Sequence, residues 1–196
     1  MERKRRRQVL PIDPRTYRHT IGLFATGVTV VSTQVAEAVH GMTANAVTSL
    51  SLEPMLLLVA VGKQARMATL LRQATGFTVN ILRADQEALS TFFAGGWPQA
   101  TPPPFRFVPW HDRPELGPVR LEGALASIGC TLYGIVEGGD HAIVLGQVVA
   151  LQQGVEPRLP LLFYGGRYRH LDATTHPAPE RRDLRLADEP IAAYYE

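Results

Sequence analysis

Residues 122–152 read EGALASIGCTLYGIVEGGDHAIVLGQVVALQ, two long β-rich segments that meet at Gly138-Gly139. A glycine pair accepts the positive φ of a tight turn, so this stretch predicts a long antiparallel hairpin. Working outward, GVTVVSTQ (27–34), the continuous apolar run MLLLVAV (55–61) and GFTVNIL (76–82) read as further strands. One helix precedes them and two interrupt them. Asp13-Pro14 offers an N-cap followed by proline at the first helical position, and Tyr17, Ile21 and Phe24 recur at helical spacing, which predicts a helix over 14–25. Met67, Leu70, Leu71 and Ala74 mark one face of a second, and Asp85 is placed to cap a third that buries Leu89, Phe92 and Phe93. Strands dominate, so the fold class is mainly β: an antiparallel β-barrel with peripheral helices rather than a doubly wound sheet.

The 196 residues fit one domain, with 45% hydrophobic and 19% charged residues, and no apolar stretch reaches a membrane span. Residues 1–12 are expected to form a basic tail. Arg3, Lys4, Arg5, Arg6 and Arg7 account for the formal charge of +2, and the body beyond them carries a slight acidic excess. It therefore continues no basic footprint for nucleic acid. The segment after this tip, QVLPIDPRTYRH, lacks the apolar region of a secretory or twin-arginine signal, and a cytoplasmic location is expected. Residues 13–172 make the folded unit, and 173–196, polar and proline-bearing, a C-terminal tail or arm. Between Gly95 and Pro118 lie seven of the fifteen prolines, with Trp97 and Trp110. That composition predicts a long loop, packed by its tryptophans as a lid.

Cys130 is the only cysteine, and the six histidines show no HxxxH or HExxH spacing, so no metal is expected. No GxGxxG follows a strand and no GxSxG elbow is present, which leaves a Rossmann nucleotide site and a serine hydrolase unsupported.

The most unusual segment is GMTANAVTSLSLEP (41–54). Small residues leave the backbone open to a flat aromatic ligand, and Thr, Asn and Ser supply donors and acceptors for a heteroaromatic edge. The plainer alternative is a polar barrel strand with a turn. Taken in order, GVTVVST, GMTANAVTSLSLEP, FTVNILRADQ, GGDHAIVLGQV and PLLFYGGRYRHL resemble the flavin reductase-like family of FMN-binding split barrels, over residues 17 to 171.

The resemblance implies a homodimeric NAD(P)H:flavin oxidoreductase that uses NADH or NADPH to reduce FMN or FAD. It implies transient transfer of reduced flavin to a separate monooxygenase. By resemblance Thr43, Ala44 and Asn45 line the isoalloxazine and ribityl, with Thr48 and Ser49 near the pyrimidine edge or phosphate. Donors fixed there favour the negative charge of the reduced ring. Lys63 and Arg66, at the start of a helix, are the phosphate candidates, although this chain carries GKQAR where many relatives carry D-R-x-S. Tyr168 either reaches the flavin face or closes the barrel. His141, in the GDH motif, is assigned to the nicotinamide side, where its imidazole can hold the reacting carbon in place. Two other readings stay open: a non-enzymatic flavin or haem binder on the same barrel, and a flavoenzyme with its own organic substrate.

Overall fold

β-branched and aliphatic runs alternate with turn residues along most of the chain, and in the computed structural model these runs pair as antiparallel strands. The structure describes residues 12–95, 105, 108–111, 118–154, 158–172 and 174–175. The helices are α1 (Pro14–Ile21), α2 (Arg66–Leu71) and α3 (Glu87–Phe93), the last preceded by a 3-10 turn at Ala84–Gln86. The strands are β1 (Thr26–Gly27), β2 (Thr29–Val35), β3 (Ala38–Ala44), β4 (Val47–Leu52), β5 (Met55–Gly62) and β6 (Gly76–Ile81), followed by β7 (Trp110–His111) and β8 (Arg120–Leu121). The hairpin is β9 (Ala126–Gly138) and β10 (His141–Gln153), with Gly139 in its turn at φ 75°, and β11 (Leu162–Tyr164) and β12 (Arg167–Arg169) follow.

Seven strands form one sheet in the order β3-β2-β6-β9-β10-β5-β4, each antiparallel to its neighbours. β3 and β4 stand at opposite ends of this order, yet only Asn45 and Ala46 separate them in the chain. Two residues span no more than a few ångströms, so the sheet has to curl until its two edges meet at that link. The result is a barrel split along one seam, with Asn45-Ala46 bridging it. A second small sheet, β1-β11-β12, lies beside the seam.

Alternation along the strands sends one set of side chains into each of two cores. The first, around Val31, Val59, Val61, Phe77 and Val79, is closed by Met67 and Leu71 of α2. The second, around Val30, Leu82, Leu121 and Leu161, is closed by Phe93 of α3. Gly146 is required where the fully buried Phe77 ring crosses β10, since a Cβ there would stand 2.5 Å from the ring. Burial pushes the Cys130 thiol up to about 12, which makes it an inert core residue.

Several expectations from the sequence are corrected. The first helix ends at Ile21 rather than 25: the Leu23 and Phe24 amides form tight bonds to the Thr20 and Ile21 carbonyls, and the chain turns into β1. Its apolar face is not buried, with Tyr17, Ile21 and Phe24 between 52% and 71% exposed. Asp85 does not cap a helix, because its carboxylate is held by the Arg83 guanidinium at 2.9 and 3.0 Å. Of the third helix Phe93 is buried, while Leu89 and Phe92 pack only partly against the second core. Trp110 donates its Nε1–H to the Phe105 carbonyl at 3.1 Å and packs in the second core. Trp97 and most of the loop expected as a lid lie outside the described residues, as do residues 1–11 and 176–196.

Asn80, fully buried near the end of β6, joins four segments. Its Nδ2 donates to the Val30 carbonyl at 3.0 Å and to Ser32 Oγ at 2.9 Å, and its Oδ1 accepts from the Leu121 amide and Ser127 Oγ, both at 3.0 Å. Leaving a buried partner unpaired costs ~1–3 kcal/mol, so Asn80→Ala is expected to remove about 3 kcal/mol or more of stability. Chemical denaturation checks this, and a loss below about 1 kcal/mol would contradict it.

Candidate functional site

The seam opens into a cavity of about 890 Å³, within the range of ligand sites. Its walls come from three places. The end of α1 and β1 contribute Ile21, Phe24 and Thr26, the seam contributes Asn45 to Ser49, and the sheet contributes Leu58, Ala60 and Ile128. Phe163 of β11, paired with Thr26, completes the rim. The lining is apolar apart from Arg18 of α1 and a strip of hydroxyls and one amide along the seam. Asn45 Nδ2 donates to Thr26 Oγ1 at 3.2 Å, and Thr48 Oγ1 donates to the Ser49 carbonyl at 3.2 Å. An apolar slot with polar groups along one edge suits a flat heteroaromatic ring, so the residues present fit a flavin.

The residues singled out in the sequence fall into three groups. Asn45, Thr48 and Ser49 line the cavity. Thr43, Ala44 and Tyr168 stand behind it. Thr43 Oγ1 donates to the Ser90 carbonyl at 2.6 Å, and Ser90 Oγ and Tyr168 Oη are 2.8 Å apart, which ties β3, α3 and β12 together. Ala44 is buried in the first core, and its carbonyl accepts from Thr29 Oγ1 at 2.7 Å. The Tyr168 ring meets Phe163 edge-on at 5.6 Å and so backs the cavity wall. Lys63, Arg66 and His141 form the third group, at the far end of β5.

Register places His141 on the cavity side of the sheet. It pairs directly with Gly62, and opposed residues in an antiparallel pair share a face. Along β5 that face carries Leu58, Ala60 and Gly62, of which Leu58 and Ala60 line the cavity. His141 therefore sits about 7 Å along the strand from the Ala60 position. Its Nδ1–H donates to the Asp140 carboxylate at 2.7 Å, and this bond holds the Asp140 carboxyl below the usual carboxylate range. The carboxylate can only accept, so a neutral ring presents Nε2 as an acceptor.

Lys63 and Arg66 are placed differently from each other. The Lys63 ammonium pairs with Glu137, whose carboxyl is thereby held low, and its amide donates to the Asp140 carbonyl at 3.0 Å. Arg66 opens α2 beside His40, which burial first and the Arg66 charge second keep below the ordinary histidine range. Neither lines the cavity.

Sequence reasoning missed Phe24, Thr26, Leu58, Ala60 and Phe163. Thr26 and Phe163 belong to two- and three-residue strands too short to leave a periodic signal, and Leu58 and Ala60 sit in a run too uniformly apolar to show which face is open.

Comparison with known proteins agrees with this geometry. Residues 21–172 match the family described as "Flavin reductase like domain". The NADH-dependent flavin reductase of Rhodococcus sp. is 40% identical over 164 residues, 82% of this chain and 88% of that protein. The reductase component of 4-hydroxyphenylacetate 3-monooxygenase from Thermus thermophilus is 39% identical over 159 residues, 79% of this chain and 95% of that one. Among solved structures, the Streptomyces globisporus C-1027 NADH:FAD oxidoreductase SgcE6 in complex with NAD and FAD fragments superposes with a TM-score of 0.73 at 38% identity. The match covers 84% of this chain and 98% of that one. With a split barrel, a seam cavity of flavin proportions and a family match across most of its length, the chain belongs to the flavin reductase-like domain family.

Proposed function

We propose that the protein is an NADH-using flavin reductase that supplies reduced flavin to a separate monooxygenase. The observation that carries this reading is the continuity of one sheet face, from Thr48 of the polar seam strip across its partner Leu58 and Ala60 to His141. This face would hold the flavin, which would supply the acceptor for hydride from the reduced nicotinamide. The protein's part is positional: hydride transfer needs two flat rings held face to face and shielded from water, with no acid or base at the reacting atoms. Asn45 and the seam hydroxyls hold the heteroaromatic edge, Leu58, Ala60 and Phe163 supply the apolar bed, and His141 Nε2 accepts a hydrogen bond from the nicotinamide carboxamide. Asp140 fixes the ring for that bond.

Exposed apolar side chains suit a second copy of the chain as cover. Tyr17, Ile21, Leu23 and Phe24 lie beside the cavity mouth, and all are more than half exposed. A homodimer that buries them would close the cavity at the subunit interface.

Purified protein mixed with FMN or FAD and with NADH or NADPH tests the activity directly. Flavin-dependent loss of the reduced-nicotinamide absorbance is expected, faster with NADH, and no turnover in any of the four mixtures would refute the reading. For His141→Ala we expect unchanged flavin affinity, a raised KM for NADH and reduction slowed ~10–100-fold, about 1.4–2.7 kcal/mol in the barrier. His141→Asn should recover part of the rate, whereas an unchanged rate in the alanine variant returns the residue to the turn. Light scattering should give the mass of a dimer, and a stable monomer with full flavin affinity would contradict the interface.

A further inference from the structure

Among the described residues that line the seam cavity, Arg18 alone carries a charge. Ile21 and Gly22, three and four positions further on, line the same cavity, so Arg18 lies on the face of α1 turned toward it. Its guanidinium has no carboxylate or hydrogen-bond partner among the described residues. The backbone that carries it is fixed at both ends of the helix. Asp13 Oδ2 accepts from the Thr16 amide at 3.0 Å, the Arg18 carbonyl accepts from the Gly22 amide at 3.0 Å, and the Gly22 carbonyl accepts from the Gly165 amide at 2.8 Å. The two cations that sequence reasoning favoured are placed elsewhere, Lys63 on Glu137 and Arg66 beside His40. A lone cation at the mouth of an apolar cleft focuses its field into that cleft. Arginine also presents the planar fork that matches two phosphate oxygens at once.

The geometry points to Arg18 as the residue that binds the phosphate of a nucleotide entering the cavity. This rests on the flavin reductase reading and deepens it. The ligand chemistry is a phosphate ester or pyrophosphate, carried either by the flavin or by the nicotinamide dinucleotide. In both cases Arg18 discriminates nucleotides from their unphosphorylated nucleoside forms.

Two matched pairs of ligands separate the sources. Dissociation constants for FMN and riboflavin, and KM values for NADH and dihydronicotinamide riboside, are measured in the wild type, Arg18→Gln and Arg18→Lys. In Arg18→Gln one pair should lose about 10-fold in affinity for its phosphorylated member while the other member is unchanged, as expected for one charge-assisted bidentate contact that is partly solvated. A loss in the flavin pair assigns the flavin phosphate, and a loss in the nicotinamide pair assigns the pyrophosphate. Arg18→Lys should retain part of the preference, and added salt should shrink the difference between wild type and Arg18→Gln. If both members of each pair shift alike, or neither pair shifts, Arg18 has no phosphate role. If the wild type binds no flavin and oxidises no NADH, the flavin reductase reading itself fails, a result distinct from an active enzyme indifferent to Arg18.

Discussion

The side-chain amide of Asn80 is the interaction on which the barrel depends. A buried amide has two donor hydrogens and an acceptor oxygen with two lone pairs, and here all four are used, by groups on β2, on β8 and on β9. Because the four bonds reach three other strands, the register of β2 against β6 and of β6 against β9 is pinned at one point. Ser32, one of the partners, also donates to the Val119 carbonyl at 2.6 Å and so draws in the chain that leads to β8. Apolar packing alone would tolerate slippage by two residues, since the alternation repeats with that period. The polar centre removes that freedom.

Pinned register at the middle of the sheet decides what happens at its edges. β3 and β4 come together because their linker is short, and they can do so only if five intervening strands keep a fixed twist and order. The cavity is a by-product of that closure. Where two strand edges meet without pairing, their side chains cannot fill the space, and the gap is bordered by the residues of the linker itself. Asn45 is therefore both part of the hinge of the barrel and part of the wall of the site.

Charge is distributed in keeping with this arrangement. The hairpin turn gathers Lys63, Glu137 and Arg72 on one side and the Asp140–His141 pair on the other, so the cations there are largely compensated by neighbouring carboxylates. Inside the seam the walls are neutral apart from Arg18. A neutral slot with polar groups along one edge favours stacking of uncharged rings, and leaves the recognition of charge to the rim.

The sequence by itself determined the class of fold, the hairpin at Gly138-Gly139 and the family, because period-2 alternation, glycine turns and an ordered set of motifs are local properties of the chain. It also picked out Asn45, Thr48 and Ser49, whose small and hydroxyl character is unusual for a barrel strand. It could not show which neighbours in that segment face the cavity. Thr43 is two residues from Asn45, yet its hydroxyl is bonded to α3, since β3 ends at Ala44 and the linker that closes the barrel carries Asn45 out of the strand's alternation. Nor could it show that Tyr17, Ile21 and Phe24 stay exposed, because amphipathic spacing identifies an apolar face without identifying what covers it. The place of Arg18 in the cavity, of Lys63 on Glu137 and of His141 across from Gly62 follow from strand register and from turns that bring distant segments together. Those are properties of tertiary closure, in which residues far apart in the chain become neighbours, and no local pattern encodes them.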